Sequence, residues 1–354
     1  MYDIAIIGAG PAGATLARMI GQHYKVLLID KRPLADEAQQ QAGTKCCGGL
    51  LAPDAQNMLG KMSLALPRHV IVAPQLFVVR TLDLHNHLER YYQRFHINID
   101  RDKFDRWLVS LLPGSVDLRC GLLKSFERDH DLFKLHLTQD GKTYSEYAKV
   151  LIGADGASSL IRKKAFPKDK FLRSYVAIQE WFATEHVAPY FSVIFDSEIT
   201  DFYSWTIPKE NSLLIGSALP QHQPSQKFEL LKQKLKDYNF QFGSRIKREG
   251  AFILRPTKTP HAFTQPGIAL VGEAAGWISP SSAEGLSYAF KSALLAAESL
   301  LEGPEEFIQK YENRARDLQK NIQLKNLKSP FMYNTLLRKM VMASGLQSIQ
   351  VLDT

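Results

Sequence analysis

The sequence predicts an α/β protein: a Rossmann-like dinucleotide-binding domain interleaved with an antiparallel β-sheet domain and followed by a helical C-terminus. Three observations carry this. A glycine fingerprint follows the first apolar run of the 354-residue chain, two more strand-turn-helix segments lie far downstream, and the stretches between them are short β-rich runs divided by turn residues. With 45% hydrophobic residues the chain has enough apolar side chain to bury a substantial core.

The first element is "YDIAIIGAGPAGATLARMI", an apolar strand that runs into Gly8-x-Gly10-x-x-Gly13 and then into a helix-forming stretch opened by Pro11 and Ala12. Gly8 permits the tight turn, Gly10 lets backbone approach a pyrophosphate, and Gly13 lets helix and strand pack closely. Free N–H groups and the helix dipole then favour an anion at that helix start. The next strand, "KVLLID", ends at Asp30, followed by Lys31, where an acidic residue for an adenosine ribose is expected. Further on, "NIDRDKFDRWLVSLL" supplies a helix beginning near Arg101. "KVLIGADGASSLIRKKAF" is a second apolar strand that delivers Asp155 and Gly156, and "GIALVGEAAGWISP" is a third strand, turning at Gly272, Glu273, Ala275 and Gly276. A long helix starts from about Glu284, through Gly285 and Leu286.

Together these fingerprints resemble the para-hydroxybenzoate hydroxylase superfamily of flavoproteins. The resemblance implies bound FAD. Gly8 to Gly13 would hold its pyrophosphate and Asp30 its adenosine ribose; Asp155 would lie near the nicotinamide approach or the pyrophosphate, Gly272 to Gly276 at the ribityl chain and pyrophosphate, and Lys31, Arg101, Gly156, Gly285 and Leu286 would also contact the cofactor. Position 273 is Glu where the superfamily usually has Asp, so a ribityl contact there needs a one-methylene adjustment.

Within that superfamily, "KCCGG" resembles the geranylgeranyl reductase family at Lys45, Cys47, Gly48 and Gly49, with Cys46 in place of a proline. The same family pattern of Tyr-x-Trp followed by proline and a later glycine is met by Tyr203, Trp205, Pro208 and Gly216. The resemblance implies that Cys47 lies beside the flavin ring and that Tyr203 and Trp205 line an apolar substrate cavity. Read from the residues alone, Cys47 is equally a small buried filler, and alternating aromatics in a strand are more often core. Metal is not expected, because Cys120 stands apart from Cys46 and Cys47 with no nearby Cys or His to complete a ligand set.

The formal net charge is +8, and no motif for nucleic acid accompanies it. From Arg314 onward seven basic residues face only Asp317 and Asp353, which suits either a solvated helix face or peripheral contact with acidic lipid. Three cysteines fit a reducing cytoplasm, and no apolar stretch reaches the roughly 20 residues of a membrane span. FAD-binding segments are expected at 1–68, 97–165 and 255–304, a substrate-binding β domain at 69–96 and 166–254, and a helical tail at 305–354 broken at Ser329-Pro330. The expected activity is reduction of a C=C bond in an apolar, isoprenoid-like substrate, with Cys47, Tyr203 and Trp205 near the reacting centre. One dinucleotide fingerprint implies that NAD(P)H or a ferredoxin-like donor reduces the flavin transiently. Oxygen chemistry, as a monooxygenase or halogenase, and a non-catalytic flavin sensor are the alternatives.

Overall fold

The structure is a computed structural model and describes residues 1–35, 45–168, 172–186, 188–257 and 262–352. In chain order, β1 (Tyr2–Ile7), α1 (Pro11–Ile20) and β2 (Val26–Asp30) precede β3 (Leu50–Leu51), α2 (Pro53–Lys61), β4 (Leu76–Asp83) and β5 (Leu88–Asn98). Next come α3 (Arg101–Ser110), β6 (Asp117–Cys120), β7 (Leu122–Asp129), β8 (Leu132–Gln139), β9 (Lys142–Gly153) and α4 (Leu160–Ala165). They are followed by β10 (Leu172–Ala183), β11 (Tyr190–Phe195), β12 (Ser204–Lys209), β13 (Ser212–Leu219), α5 (Pro224–Asp237) and β14 (Arg245–Pro256). The chain closes with β15 (Thr264–Gln265), β16 (Ile268–Leu270), α6 (Leu286–Leu301), α7 (Phe307–Tyr333) and α8 (Thr335–Ser344).

Two compact units form. The first comprises Met1–Thr44, Asp102–Arg173 and Leu254–Leu324; the second comprises Lys45–Arg101, Ser174–Ile253 and Lys325–Thr354. Residues 45–68 and 97–101, expected in the FAD-binding part, therefore belong to the second unit, and the tail is divided between the two.

In the first unit the strand order is β15-β16-β9-β1-β2-β6, with β7 and β8 continuing from β9. β1 pairs in parallel with both β2 and β9, and every residue of β2 is buried. A parallel strand covered on both faces reads as an unbroken apolar run, which is why "VLLID" carries no alternation.

In the second unit the order is β14-β10-β13-β12-β11-β4-β5-β3. β10, β13, β12 and β11 are mutually antiparallel, but β11 joins β4 in parallel, so the sheet is mixed and not purely antiparallel as expected. The long connection from β5 to β10 separates the two hairpin-like groups in sequence, so the strand direction at their junction is free to be parallel.

Register assigns each residue to a face, because directly paired residues share a side and successive residues alternate. Ile178, Phe182, Leu213, Ile215 and Ile194 point to one face and form a core with Phe228, Leu231 and Leu235 of α5, a helix not anticipated within 166–254. Gln179, Gly216, Trp205 and Val193 form a row on the opposite face, with Ile207 and Lys209 further along β12.

The tail breaks later than expected. Pro330 lies inside α7, which continues to Tyr333; Ser329 Oγ donates to Lys325 O at 2.9 Å and Asn334 N to Pro330 O at 2.9 Å. The break falls at Asn334, whose side chain accepts from Leu336 N and Leu337 N and so starts α8.

Candidate functional site

In the first unit three segments far apart in sequence converge. Gly8 has φ +103°, and a side chain there would meet Ala154 O at 2.4 Å; one at Gly13 would meet Gly8 O at 1.8 Å. Gly10 differs: among the described residues a Cβ added there meets nothing within 4 Å, so the turn is open to them just where α1 presents its free N–H groups. Gly272 brings Ala12 Cβ to 2.9 Å of its own missing side chain, and Arg162 ties the two downstream turns together, donating to Ala157 O at 2.5 Å and Ala274 O at 3.1 Å. Pro11 and Ala12 are buried in the first turn of α1. Gly156 is also open to space, with φ +71°, and Gly276, φ +76°, ends the short 3-10 turn holding Gly272, Glu273 and Ala275. Gly285 precedes α6, and Leu286 is its first residue.

The acidic side chains of this unit are engaged unequally. Asp30 Oδ2 accepts from Ala9 N at 2.8 Å, and its Oδ1 accepts from Arg32 Nε at 3.0 Å; Arg32 reaches on to Asp105 at 2.8 Å. This buried triad stiffens the glycine turn, and Lys31 beside it is exposed. A cavity of about 280 Å³, lined by Arg32, Pro33, Leu34, Leu118, Arg119 and Cys120, opens at the carboxyl ends of β2 and β6, where open α/β sheets take nucleotides. Glu273 Oε1 accepts from Leu254 N at 3.0 Å. Asp155 Oδ2 accepts from Leu160 N at 2.8 Å, while its Oδ1 is buried without a hydrogen-bond partner among the described residues, and burial pushes its carboxyl up against the hydrogen bonds from Ser159 and the backbone.

In the second unit the segment Lys45 to Gly49 crosses the sheet face that bears Trp205. Cys46 Sγ lies 3.9 Å from Ala177 O; a side chain at Gly48 would strike Ile207 Cδ1 at 2.5 Å, and one at Gly49 would strike Lys209 Nζ at 2.8 Å. Lys209 Nζ donates to Ile99 O at 2.8 Å and Gly49 O at 3.1 Å, pinning the segment to the end of β5. Arg101, which begins α3, donates from Nη1 to Cys47 Sγ at 3.2 Å. Burial opposes ionisation of Cys47, but Arg101, a Gly49 backbone hydrogen bond and Lys45 outweigh it and hold the thiol below its ordinary value. Burial pushes Lys209 down to about 7, against the pull of Cys47 and Asp100. The neighbouring Cys46 goes the other way, raised by burial.

Trp205 packs flat over Gly216, whose added Cβ would lie 2.3 Å from its Nε1, and against Tyr203 with ring centroids 5.4 Å apart. Trp205 Nε1 and Gln179 Oε1 are buried and have no hydrogen-bond partner among the described residues, although Gly216 stands between them in register. Such orphaned groups cost about 1–3 kcal/mol each.

The site residues expected from sequence thus fall into two groups: the glycine cradle, Asp30, Lys31, Asp155, Gly272 to Gly276 and α6 in the first unit, and Lys45, Cys47, Gly48, Gly49, Arg101, Tyr203 and Trp205 in the second. Lys209, Gln179 and Arg32 were missed. The signal for Lys209 was present, since it directly follows the Trp-x-x-Pro stretch that carries Trp205 and Pro208. Gln179 has no local signal, because only strand register brings it beside Gly216.

No family model matches the chain. The solved structures similar to it include a geranylgeranyl bacteriochlorophyll reductase-like protein from Thermoplasma acidophilum, 20% identical with a TM-score of 0.78 over 99% of this chain and 92% of that one. A triple mutant of the flavin-dependent brominase Bmp2 is 17% identical with a TM-score of 0.74, covering 98% and 93%. PqsL, a probable FAD-dependent monooxygenase from Pseudomonas aeruginosa, is 17% identical with a TM-score of 0.70, covering 98% and 99%. These likenesses show that the chain has the fold of these flavin-dependent proteins. In sequence, "CCGGLLAPDAQ" and "YVAIQEWFA" sit within an alignment to protein CbrA of Escherichia coli O9:H4 (strain HS) that is 41% identical over 350 residues, 98% of this chain and 94% of CbrA. CbrA of Escherichia coli K12 is 40% identical, covering 98% of both. The chain belongs to the CbrA family.

Proposed function

We propose that this protein is an FAD-dependent oxidoreductase that reduces a C=C bond of an apolar, isoprenoid-like substrate. The residues present suit the cofactor. Gly10 is open at the helix start and Gly8 admits no side chain, so Gly8 to Gly13 would hold the pyrophosphate. Asp155, with an unpartnered buried oxygen, and the Gly272 to Gly276 turn would meet its polar middle portion. Bound and reduced, FAD supplies hydride chemistry; the protein supplies binding, orientation and exclusion of water. A single dinucleotide cradle is consistent with NAD(P)H or a ferredoxin-like protein acting as a transient electron donor.

One observation carries the substrate assignment: the sheet face on which Trp205, Ile207 and Leu214 present buried apolar surface beneath a glycine segment that ends beside the Cys47–Arg101 pair. An apolar wall suits an uncharged hydrocarbon chain, and Cys47, whose thiol Arg101 holds below its ordinary value, orients the reacting groups. The T. acidophilum structure is named for a geranylgeranyl reductase-like protein, which favours the same reading.

The test is a visible spectrum of the purified protein, followed by anaerobic reduction with NADPH or dithionite and addition of prenylated lipids. Flavin absorbance that bleaches and then returns on one lipid without oxygen supports the proposal. Return only on admitting air assigns oxygen chemistry instead, and absence of flavin overturns the cofactor assignment.

A further inference from the structure

The last described stretch of the chain, residues 325–352, departs from an ordinary protein surface in composition and in the direction its side chains face. Eight of the eighteen large apolar side chains that are exposed among the described residues fall in these 28 positions. Leu327, Phe331, Leu336, Met340, Leu346 and Leu352 are each between 52% and 83% exposed. Scattered single exposures are normal, but a concentration of this kind marks an interaction surface.

The helical spacing explains why these side chains have nothing to pack on. In α8 the inward positions are Arg338 and Met342, one helical turn apart and both buried. Arg338 Nε donates to Asp83 Oδ2 at 2.6 Å and lies over the Phe195 ring at 4.9 Å, which docks the helix on the second unit's sheet. Leu336 and Met340 are each two residues removed from these, so they project from the opposite side of the helix. The end of α7 repeats the arrangement: Ser329 is buried, and Leu327 and Phe331, two residues to either side, face out. Both helices therefore have their inner side satisfied and an apolar outer side.

Charge narrows the occupant. Residues 325–352 contain Lys325, Lys328, Arg338 and Lys339 and no Asp or Glu; Asp353 lies outside the described residues. Arg338 is consumed by Asp83, and upstream Arg314 pairs with Glu298 and Glu302, so the tail is less basic than a residue count suggests. Lys328 and Lys339 remain at the surface, next in sequence to Leu327 and Met340. A solvated face interleaves both signs of charge with few large apolar groups, whereas apolar side chains rimmed by lysine alone match the acyl boundary and anionic headgroups of a lipid surface. Among the described residues no helix is long and apolar enough to cross a membrane, so the contact is one of lying on the surface.

We propose that the outer side of residues 325–352 docks this protein on an anionic lipid bilayer. The inference extends the reading of an apolar substrate, which would be collected from that bilayer, and it stands on surface residues that take no part in the flavin or Cys47 sites. The experiment is co-sedimentation of the full chain with vesicles of phosphatidylcholine, with and without phosphatidylglycerol, comparing the native protein with Leu327→Glu/Phe331→Glu and with Lys328→Ala/Lys339→Ala. The native protein is expected to sediment with the phosphatidylglycerol vesicles. The lysine pair should weaken that binding roughly tenfold or more, at about 1 kcal/mol per lysine, and the glutamate pair should abolish it. Equal binding by all three proteins, or no binding by the native one, overturns the proposal. So does a concentration-dependent dimer in sedimentation velocity that the glutamate pair dissolves, because a second copy would then be the occupant. The flavin spectrum of the same samples reports separately on the cofactor, so loss of vesicle binding with flavin retained is not confused with failure of the flavoprotein reading.

Discussion

The two faces of the second unit's sheet are made by the same strands and treat their polar atoms in opposite ways. On the α5 side even a fully buried carboxylate is provided for: Glu180 receives Lys232 at 2.9 Å, Arg245 at 3.1 Å and Arg248 at 3.2 Å, amid the core of Ile178, Leu213, Ile215 and Phe228. On the other side Trp205 Nε1 and Gln179 Oε1 have no partner among the described residues, glycines at 48 and 216 give close backbone approach, and Cys47 is held by a guanidinium. A face that only needs to fold satisfies its polar groups, whereas one reserved for a ligand leaves some unmade. On the function proposed above, that contrast separates scaffold from site.

Substitutions on each face sharpen it. Phe228→Ala, in the α5 core, should lower unfolding stability by about 3–5 kcal/mol in urea denaturation while leaving flavin content and the alkylation of Cys47 unchanged. Gly216→Val forces a side chain into the Trp205 ring and should cost about 1–3 kcal/mol, with substrate-driven flavin reoxidation lost outright. If turnover survived, the Trp205 face would be scaffold like its opposite.

Arg101→Gln removes the cation that most favours the Cys47 thiolate, so the pH midpoint of iodoacetamide alkylation should move up by about one unit or more. The sign follows from burial: with the guanidinium gone, only the Gly49 backbone hydrogen bond and Lys45 still oppose desolvation, which raises the thiol. A midpoint that stayed in place would show that Arg101 does not govern this group. Gln179→Leu gives the smallest effect and the most pointed one. Deleting an orphaned acceptor should leave stability unchanged or raise it by less than about 1 kcal/mol, yet slow turnover, the pattern of a polar group kept for function.

Much of the first unit was legible because its instructions are local. The turn at Gly8, the helix start at Pro11 and the strand ending at Asp30 lie within 30 residues, and each glycine has a steric reason that spacing alone reveals. The same holds for the Asp155 and Gly272 turns. What was not legible is set by register and partner choice. Asp30, expected to serve a ribose, also accepts from Ala9 N and Arg32, a pairing that depends on how Arg32 folds back. Gln179 and Lys209 acquire their neighbours only when β10 and β12 pair with β13 in one particular register. Proline removes a donor and crowds the preceding turn, which predicts a helix end at Pro330, yet α7 continues to Tyr333 and the Asn334 cap decides the break. Helix α5 was overlooked inside a stretch dominated by strand-like runs, although Pro224 at its start was a usable signal.

The proposed reaction depends most directly on the Trp205 face. The decisive measurement is anaerobic reoxidation of the prereduced protein by the prenylated lipid that the native chain accepts, repeated with Trp205→Ala. The variant is expected to keep its flavin spectrum and its reduction by dithionite but to lose lipid-driven reoxidation. Reoxidation at the native rate would contradict that expectation, placing the substrate elsewhere and returning Trp205 to the core.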